Sequence, residues 1–401
     1  MDFTIGNAAT GQAFFDREEL LEDIWTALVT DNVLLAAPRR VGKTSIMHRL
    51  KDAPQPGFTV MFVDAQGFDT PAALVAELAL GAGNLSRDPK RTARSILRQA
   101  TDRIEELEIW EIRIRLREAM RANWHEQGER AIADALGAIG ARDKLLLVID
   151  ELPLLLHKIV SRDKERGRET AGDLLDWLRH VRLHPDFNKR LRMVLGGSIG
   201  MARVAAFIGA SHKINDLRQI DVGPLNESKA RELANGLLAS NGVAPEPALV
   251  EAILTQAGTL LPIYIQILAR ALVTDVRGRN VEPTPETVRE CYEQRALGSE
   301  YRLCFEDYYE RLDRYYAPDE ARAARRILRE LAIAKGPILK SALLGTYRDE
   351  LGPNADPANF DLLLAWLHDD FYVDKTNGGK KVAVKDKWIR DWWRKHHADA
   401  E

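Results

Sequence analysis

Cysteine is nearly absent. Cys291 and Cys304 are the two thiols in 401 residues. They form neither a metal-ligand spacing nor a disulfide framework, so a reducing cytosol is the expected setting. Long apolar runs are missing too. None reaches the roughly 18 residues that a bilayer-spanning helix needs, so no membrane contact is expected. The opening "MDFTIGNAATG" lacks a basic n-region and an apolar h-region, and no signal peptide is expected. Net charge is small: 57 Lys and Arg stand against 60 Asp and Glu, a formal charge of -3. That excludes a protein that coats nucleic acid by bulk charge alone. There are no repeats and no low-complexity tracts.

What is present is enough apolar residue, 45% of the chain, for real cores. The length predicts two to four domains at about 100–200 residues each. Five short apolar runs ("VLLAA", "FTVMFVDA", "LLLVIDE", "LRMVLGGS", "LRQIDVGPL") alternate with helical stretches. Runs of four to eight apolar residues in that setting predict a parallel sheet covered on both faces. The fold class is therefore α/β: a doubly wound P-loop NTPase-type sheet over about residues 12–225, with an insertion near 86–140. Within the insertion "EIRIRLRE" alternates charged and apolar residues. It predicts a β-hairpin over Ile104–Leu116, with a helix as the rival because Glu and Arg favour helices. After Leu225 the pattern turns helical: a lid domain over 226–298 and a connecting helix over 299–318. Three helices and a hairpin signalled by Asn377-Gly378-Gly379 follow over 319–397, the order of a winged-helix domain.

Chemistry concentrates at the strand ends. "AAPRRVGKTS" follows the first apolar run and matches G-x-x-x-x-G-K-[ST] at Gly42, Lys43 and Thr44, with Ala37 where the first glycine belongs. A strand, a tight loop and a helix start make a phosphate cradle, because loop N–H groups and the helix dipole both face an anion. Pro38, Arg39, Arg40, Val41 and Ser45 complete the predicted ATP or ADP contact. Gly42 lets the backbone approach, Lys43 sets a charge against the outer phosphates, and Thr44 offers a hydroxyl to Mg²⁺. Ala37 adds one methyl, which costs little unless φ is positive there. The third strand ends in Asp150 and Glu151. The first would hold Mg²⁺ with Thr44, and the second would polarise an attacking water. Ser198 ends the fourth strand, where it either senses the γ-phosphate or caps the next helix.

The strings "FFDREELLEDIW", "APRRVGKTS", "VIDELPLLL", "GGSIGMARV", "HKINDL", "VGPLNESKA" and "GTLLPIYIQIL", in this order, resemble the archaeal-type predicted ATPases. That family belongs to the STAND branch of the AAA-like P-loop ATPases and is related in build to the origin-recognition ATPases. The resemblance spans nearly the whole chain. It implies a nucleotide-binding domain, a helical lid and a C-terminal winged helix. It also implies that Arg17 belongs to the N-terminal "hhGRE" motif beside the adenine, with Asp16 replacing the glycine. Pro262 matches the proline of the lid motif at a longer spacing. Asp150 and Glu151 match the Walker B pair. Members act as nucleotide-driven switches, often in regulation or in defence against phage. An arginine from a neighbouring subunit often completes such sites, and Arg179, Arg182, Arg203 and Arg218 are the candidates.

The expected activity is a Mg²⁺-dependent ATPase switch, slow without a homo-oligomer or a protein partner. Two rivals stay open: a non-hydrolysing nucleotide-gated binding module, and a small-molecule kinase. DNA is a weaker partner expectation. The third helix of the winged-helix segment, Asp356 to Phe371, carries four aspartates and no Lys or Arg, which repels a duplex. The wing lysines Lys380, Lys381, Lys385 and Lys387 leave a wing-led contact open. Trp388, Trp392 and Trp393 have helical core spacing and read as packing.

Overall fold

The five apolar runs become five parallel strands: β1 (Asn32–Ala36), β2 (Phe58–Asp64), β3 (Lys144–Asp150), β4 (Leu191–Gly197) and β5 (Leu217–Asp221). The structure is a computed structural model. It describes the chain apart from residues 7, 10, 12–13, 38–39, 87–107, 164, 198–199 and 399–401. The strands order as β2-β3-β4-β1-β5. Both central neighbours of the loop strand are therefore late strands, and β4 separates β1 from β3. The whole of β4 is buried, as is β3 from Leu145 onward. Helices cover both faces, which is why these strands read as unbroken apolar runs rather than as alternation. Ala36 pairs with Gly197 on one side and Asp221 on the other, and Asp64 pairs with Asp150. Such register ends the strands flush along one edge.

Residues Arg17–Val222 form one compact unit. Its helices are α1 (Glu18–Ala27), α2 (Lys43–Asp52), α3 (Pro71–Leu85), α4 (Ile109–Ala119), α5 (Trp124–Ala138), α6 (Leu152–Arg162), α7 (Gly167–Leu183) and α8 (Met201–Phe207). The expected hairpin over Ile104–Leu116 is corrected here: from Ile109 on the segment is helix α4, while residues 104–107 lie outside the described residues. The alternation in "EIRIRLRE" hides a second spacing. Ile112, Leu116 and Met120 recur every four residues and are buried, whereas Ile114, which a strand would bury with them, is 47% exposed. The Glu111 carboxylate accepts the Glu108 N–H at 2.9 Å and closes the helix start. Arg113 pairs with Glu77 of α3 at 2.9 Å, tying the helix to an almost wholly buried neighbour. Helix-favouring Glu and Arg decided the case once an apolar helix was there to pack on.

Met1–Asp16 and Gly223–Glu401 form the second unit. It holds α9 (Glu227–Ser240), α10 (Pro247–Ala257), α11 (Pro262–Arg279), and α12 (Pro285–Glu290) running into a π turn over Cys291–Ala296. Then come α13 (Arg302–Tyr315), α14 (Pro318–Ile333), β6 (Ile338–Leu339), α15 (Lys340–Leu351), α16 (Pro357–Asp369), β7 (Val373–Thr376), β8 (Lys381–Val384) and α17 (Lys387–His397). Asn226 and Thr284 cap α9 and α12 through their side-chain oxygens, and proline opens α10, α11, α12, α14 and α16. From α14 on, helix, short strand, two helices and hairpin give the element order of a winged helix. Its small sheet orders β6-β8-β7. Asn377, Gly378 and Gly379 all take positive φ at its turn.

The lid segment and the last helix share one core. Trp388 stacks on Tyr264 at 4.3 Å with ring planes 7° apart, an arrangement worth about 1 kcal/mol beyond burial. Its indole N–H donates to the carbonyls of Gln256 and Ala257 at 3.1 and 3.0 Å. Trp392 and Trp393 are buried as well. Segments 226–298, 299–318 and 319–397 each give a ring to this aromatic seam: Tyr264, Phe305 and Trp388.

Candidate nucleotide site

The loop after β1 turns tightly enough to need two left-handed residues, Arg40 at φ 64° and Gly42 at φ 99°. A Cβ at Gly42 would meet nothing within 4 Å, so glycine is needed there for backbone freedom and not for space. Ala37 is buried and has no positive φ, so its methyl fits where the pattern has glycine. Val41 is buried behind the loop, and Ser45 is buried in the first turn of α2. Gly42 caps α2 without a side-chain oxygen, which leaves the opening N–H groups of that helix to an anion. Pro38, Arg39 and Ser198 lie outside the described residues.

Lys43 and Asp150 meet at the flush strand edge. Lys43 is 5% exposed and Asp150 is 2% exposed, and the ammonium and carboxylate are directly paired. The Thr44 hydroxyl donates to the other Asp150 oxygen at 2.7 Å. The Glu151 N–H donates to Asp150 at 2.9 Å, and the Glu151 carboxylate lies 3.8 Å from the Lys43 nitrogen. Glu151 is held at φ 56°, a left-handed conformation that costs a non-glycine residue about 1 kcal/mol or more. Strain at the residue that would polarise water is the pattern of a functional position.

Arg17 caps the start of α1 at φ 97°, and Asp16 before it is at φ 54°. Pro262 stands in the first turn of α11, in the second unit.

Two of the four candidate arginines are buried. Arg182 is 1% exposed and grips Asp216 through two nitrogens at 2.6 and 2.7 Å, and Arg203 is buried on α8. Arg218 is exposed but lies at the start of β5 opposite Val33, away from the carboxyl edge. Arg179 donates to the His212 carbonyl at 2.9 Å.

Of the four aspartates of the third helix of the winged-helix segment, Asp370 is buried and the other three are exposed. Asp356 caps the helix by accepting the Ala358 N–H at 2.8 Å, and Asp370 is buried against the Tyr316 hydroxyl at 2.8 Å. Asp361 pairs with Lys340 at 2.7 Å.

Among positions the sequence reading passed over, Asp64 also ends at the strand edge, but its carboxylate accepts the Gln66 N–H and serves as a cap. Gly196 and Gly197 sit where β4 passes between the loop and the acid pair; the string "GGS" contained them without revealing what they face. A cleft of about 450 Å³ in the same unit is lined by Asp69, Thr70, Ile159, Arg162 and Thr170, and by none of the loop or acid-pair residues.

A parallel sheet with one strand between the loop strand and the acid strand, and Lys-Thr facing Asp-Glu across the edge, defines the P-loop NTPase fold. Within that class the chain is similar to the Walker-type ATPase PABY2304 of Pyrococcus abyssi, with a TM-score of 0.62 and 16% identity over 96% of this chain and 97% of that one. It is also similar to the Aeropyrum pernix ORC2 protein (TM-score 0.49, 14% identity, 96% and 94% covered). A further likeness is to a STAND protein with a tetratricopeptide-repeat sensor, PH0952 of Pyrococcus horikoshii (TM-score 0.37, 14% identity, 95% and 42% covered). The fold likeness rests on the first. No protein-family model and no curated protein matches this chain. Among the described residues no helix is long and apolar enough to cross a membrane.

Proposed function

We propose that the chain is a Mg²⁺-dependent ATPase that works as a nucleotide switch. The observation that carries this reading is the convergence of Lys43, Thr44 and Glu151 on the buried Asp150. A carboxylate with a lysine, a threonine hydroxyl and a second acid around it is the donor set for a metal–triphosphate complex. No cluster of three His, Cys, Asp or Glu able to hold a metal exists among the described residues. Mg²⁺ takes one or two protein oxygens and draws the rest from water and phosphate. Thr44 and Asp150 would hold it, and its charge would neutralise the phosphate oxygens.

The chain's own residues divide the remaining work. Lys43 would leave Asp150 for the outer phosphates, and the N–H groups of Arg40 to Ser45 would line the anion. Glu151 would polarise the attacking water, with Ser198 orienting it. Arg17 would border the base. The lid over 226–298 would report nucleotide state to the winged-helix segment over 319–397. A second copy or a protein partner in the cytosol is the proposed reader, in regulation or in defence against phage.

Isothermal titration with ATP and Mg²⁺ tests the binding half: uptake near one nucleotide per chain is expected, and none is expected for Lys43→Ala. Phosphate release tests the other half. Glu151→Gln should bind ATP and release no phosphate, whereas a non-hydrolysing module would leave the wild-type chain equally silent. Adding small-molecule acceptors should not raise ADP formation; a rise would favour a kinase.

A further inference from the structure

Residues alternate faces along a strand, so Gly196 and Gly197 at the end of β4 look in opposite directions. Neither has a positive φ. Backbone freedom therefore does not explain two adjacent glycines in the middle strand of the site. Space does. A methyl on Gly196 would overlap the Met47 terminus and lie 3.3 Å from Lys43 Cδ. A methyl on Gly197 would overlap the Pro153 ring, 2.5 Å from its Cγ. One glycine thus backs the loop helix α2, and the other backs α6, the helix that Glu151 caps.

The two contacts differ in how they can yield. The Met47 thioether ends a flexible side chain, so its tip can give way. The Pro153 ring is welded to the backbone in the first turn of α6 and cannot swing aside. Anything larger than hydrogen at position 197 must push the start of α6, and Glu151 lies two residues before Pro153. We propose that Gly197 is a positioning residue for Glu151: by offering no side chain it leaves room for the Pro153 ring, so the start of α6 is not pushed off β4 and the Glu151 carboxylate stays beside Lys43. Gly196 plays the milder counterpart for Lys43. This rests on the reading of Glu151 as the residue that activates water.

The test uses the full chain in five forms: wild type, Gly197→Ala, Pro153→Ala, the double variant, and Gly196→Ala. ATP affinity is read by calorimetry and phosphate release by single turnover. Gly197→Ala should lower turnover by about 10–100-fold, the scale of a sub-ångström to 1 Å misplacement, with ATP affinity nearly unchanged. Pro153→Ala alone should resemble wild type. In the double variant the ring is gone, and the Pro153 Cβ position lies 3.4 Å from the new methyl, an ordinary contact, so most of the turnover should return. Gly196→Ala should shift affinity more than turnover. A Gly197→Ala chain with wild-type turnover overturns the proposal. So does a loss that Pro153→Ala fails to restore, which assigns the effect to the neighbouring strand end instead. If Gly197→Ala does not fold, a double variant that folds and turns over supports the contact, and one that also fails overturns it. A wild-type chain that binds ATP and releases no phosphate sinks the hydrolysis reading itself, an outcome distinct from all of these.

Discussion

The two units bury carboxylates in different ways. In the nucleotide unit the buried Asp150 is held by Lys43, and the half-buried Asp216 by the Arg182 guanidinium. In the lid and winged-helix unit a cation does the same for Asp275, which pairs with Arg295, and Asp391 borders Lys387, Arg390 and Arg394, but three buried acids there also take a tyrosine hydroxyl. Tyr264 donates to Asp386 at 3.0 Å, Tyr292 to Asp391 at 2.8 Å and Tyr316 to Asp370 at 2.8 Å. Backbone strain does not divide as cleanly. The nucleotide unit places left-handed, non-glycine residues at Arg17, Arg40 and Glu151, the last two inside the site, and the second unit places them at Asp16, Asn280, Phe371 and Asn377, of which the asparagines tolerate the conformation best. A cation on a flexible stem can exchange one anion for another. A tyrosine ring packed in an aromatic seam cannot. The first arrangement is suited to a ligand that competes for Lys43, and the second to a body that keeps its shape while the site changes state.

The largest break in this contrast comes from Lys43→Ala. It removes the partner of a buried acid, which costs about 3–5 kcal/mol of stability, and it abolishes ATP uptake. Chemical denaturation and calorimetry on the same sample read both. Arg182→Met should come next, at about 2–3 kcal/mol, because the half-buried Asp216 loses its two close hydrogen bonds but keeps Arg179 at 3.8 Å, and the loss should show in unfolding with little change in nucleotide affinity. Tyr264→Phe should cost less, about 1–2 kcal/mol, because Asp386 keeps the N–H groups of Trp388 and Ile389 at 2.8 and 3.2 Å. ATP affinity should not move, and a tenfold change would mean the seam is no passive body.

The smallest and sharpest effect is in pH. Burial tends to raise the Asp216 carboxyl, but the Arg182 hydrogen bonds and charge outweigh it and hold it below the usual 3.8. Its stabilisation is present above 3.8 and fades as pH falls through the depressed value. Burial pushes Asp386 above 3.8 despite its hydrogen bonds. Its contribution is full below 3.8 and is lost as pH rises through the raised value. Asp216→Asn should therefore flatten the acid limb of the stability profile, and Asp386→Asn should flatten a decline on the rising side. Melting curves across pH with the same sign for both variants would erase the distinction between the units.

Much of the site was legible because its parts are local. A glycine-lysine-threonine after a buried strand, and two acids after another, carry their chemistry in adjacent residues, and the strands that bear them read directly from apolar runs. The hairpin expected near Ile112 failed for the opposite reason. Its alternation is compatible with two periods, and which one won depended on α3, far along the chain. The third helix of the winged-helix segment shows a like limit: counting its aspartates cannot tell the buried Asp370 from Asp356, Asp361 and Asp369, which face water.

Residue order alone determined where the strands, the loop and the acid pair lie, because backbone sterics and apolar periodicity act over a few neighbours. Only the tertiary structure decided that β4 runs between loop and acids, that Gly197 must leave room for a proline ring, and which partner holds each buried carboxylate. Those depend on atoms tens to hundreds of residues apart meeting within a few ångströms, and close packing lets no local pattern announce such a meeting in advance.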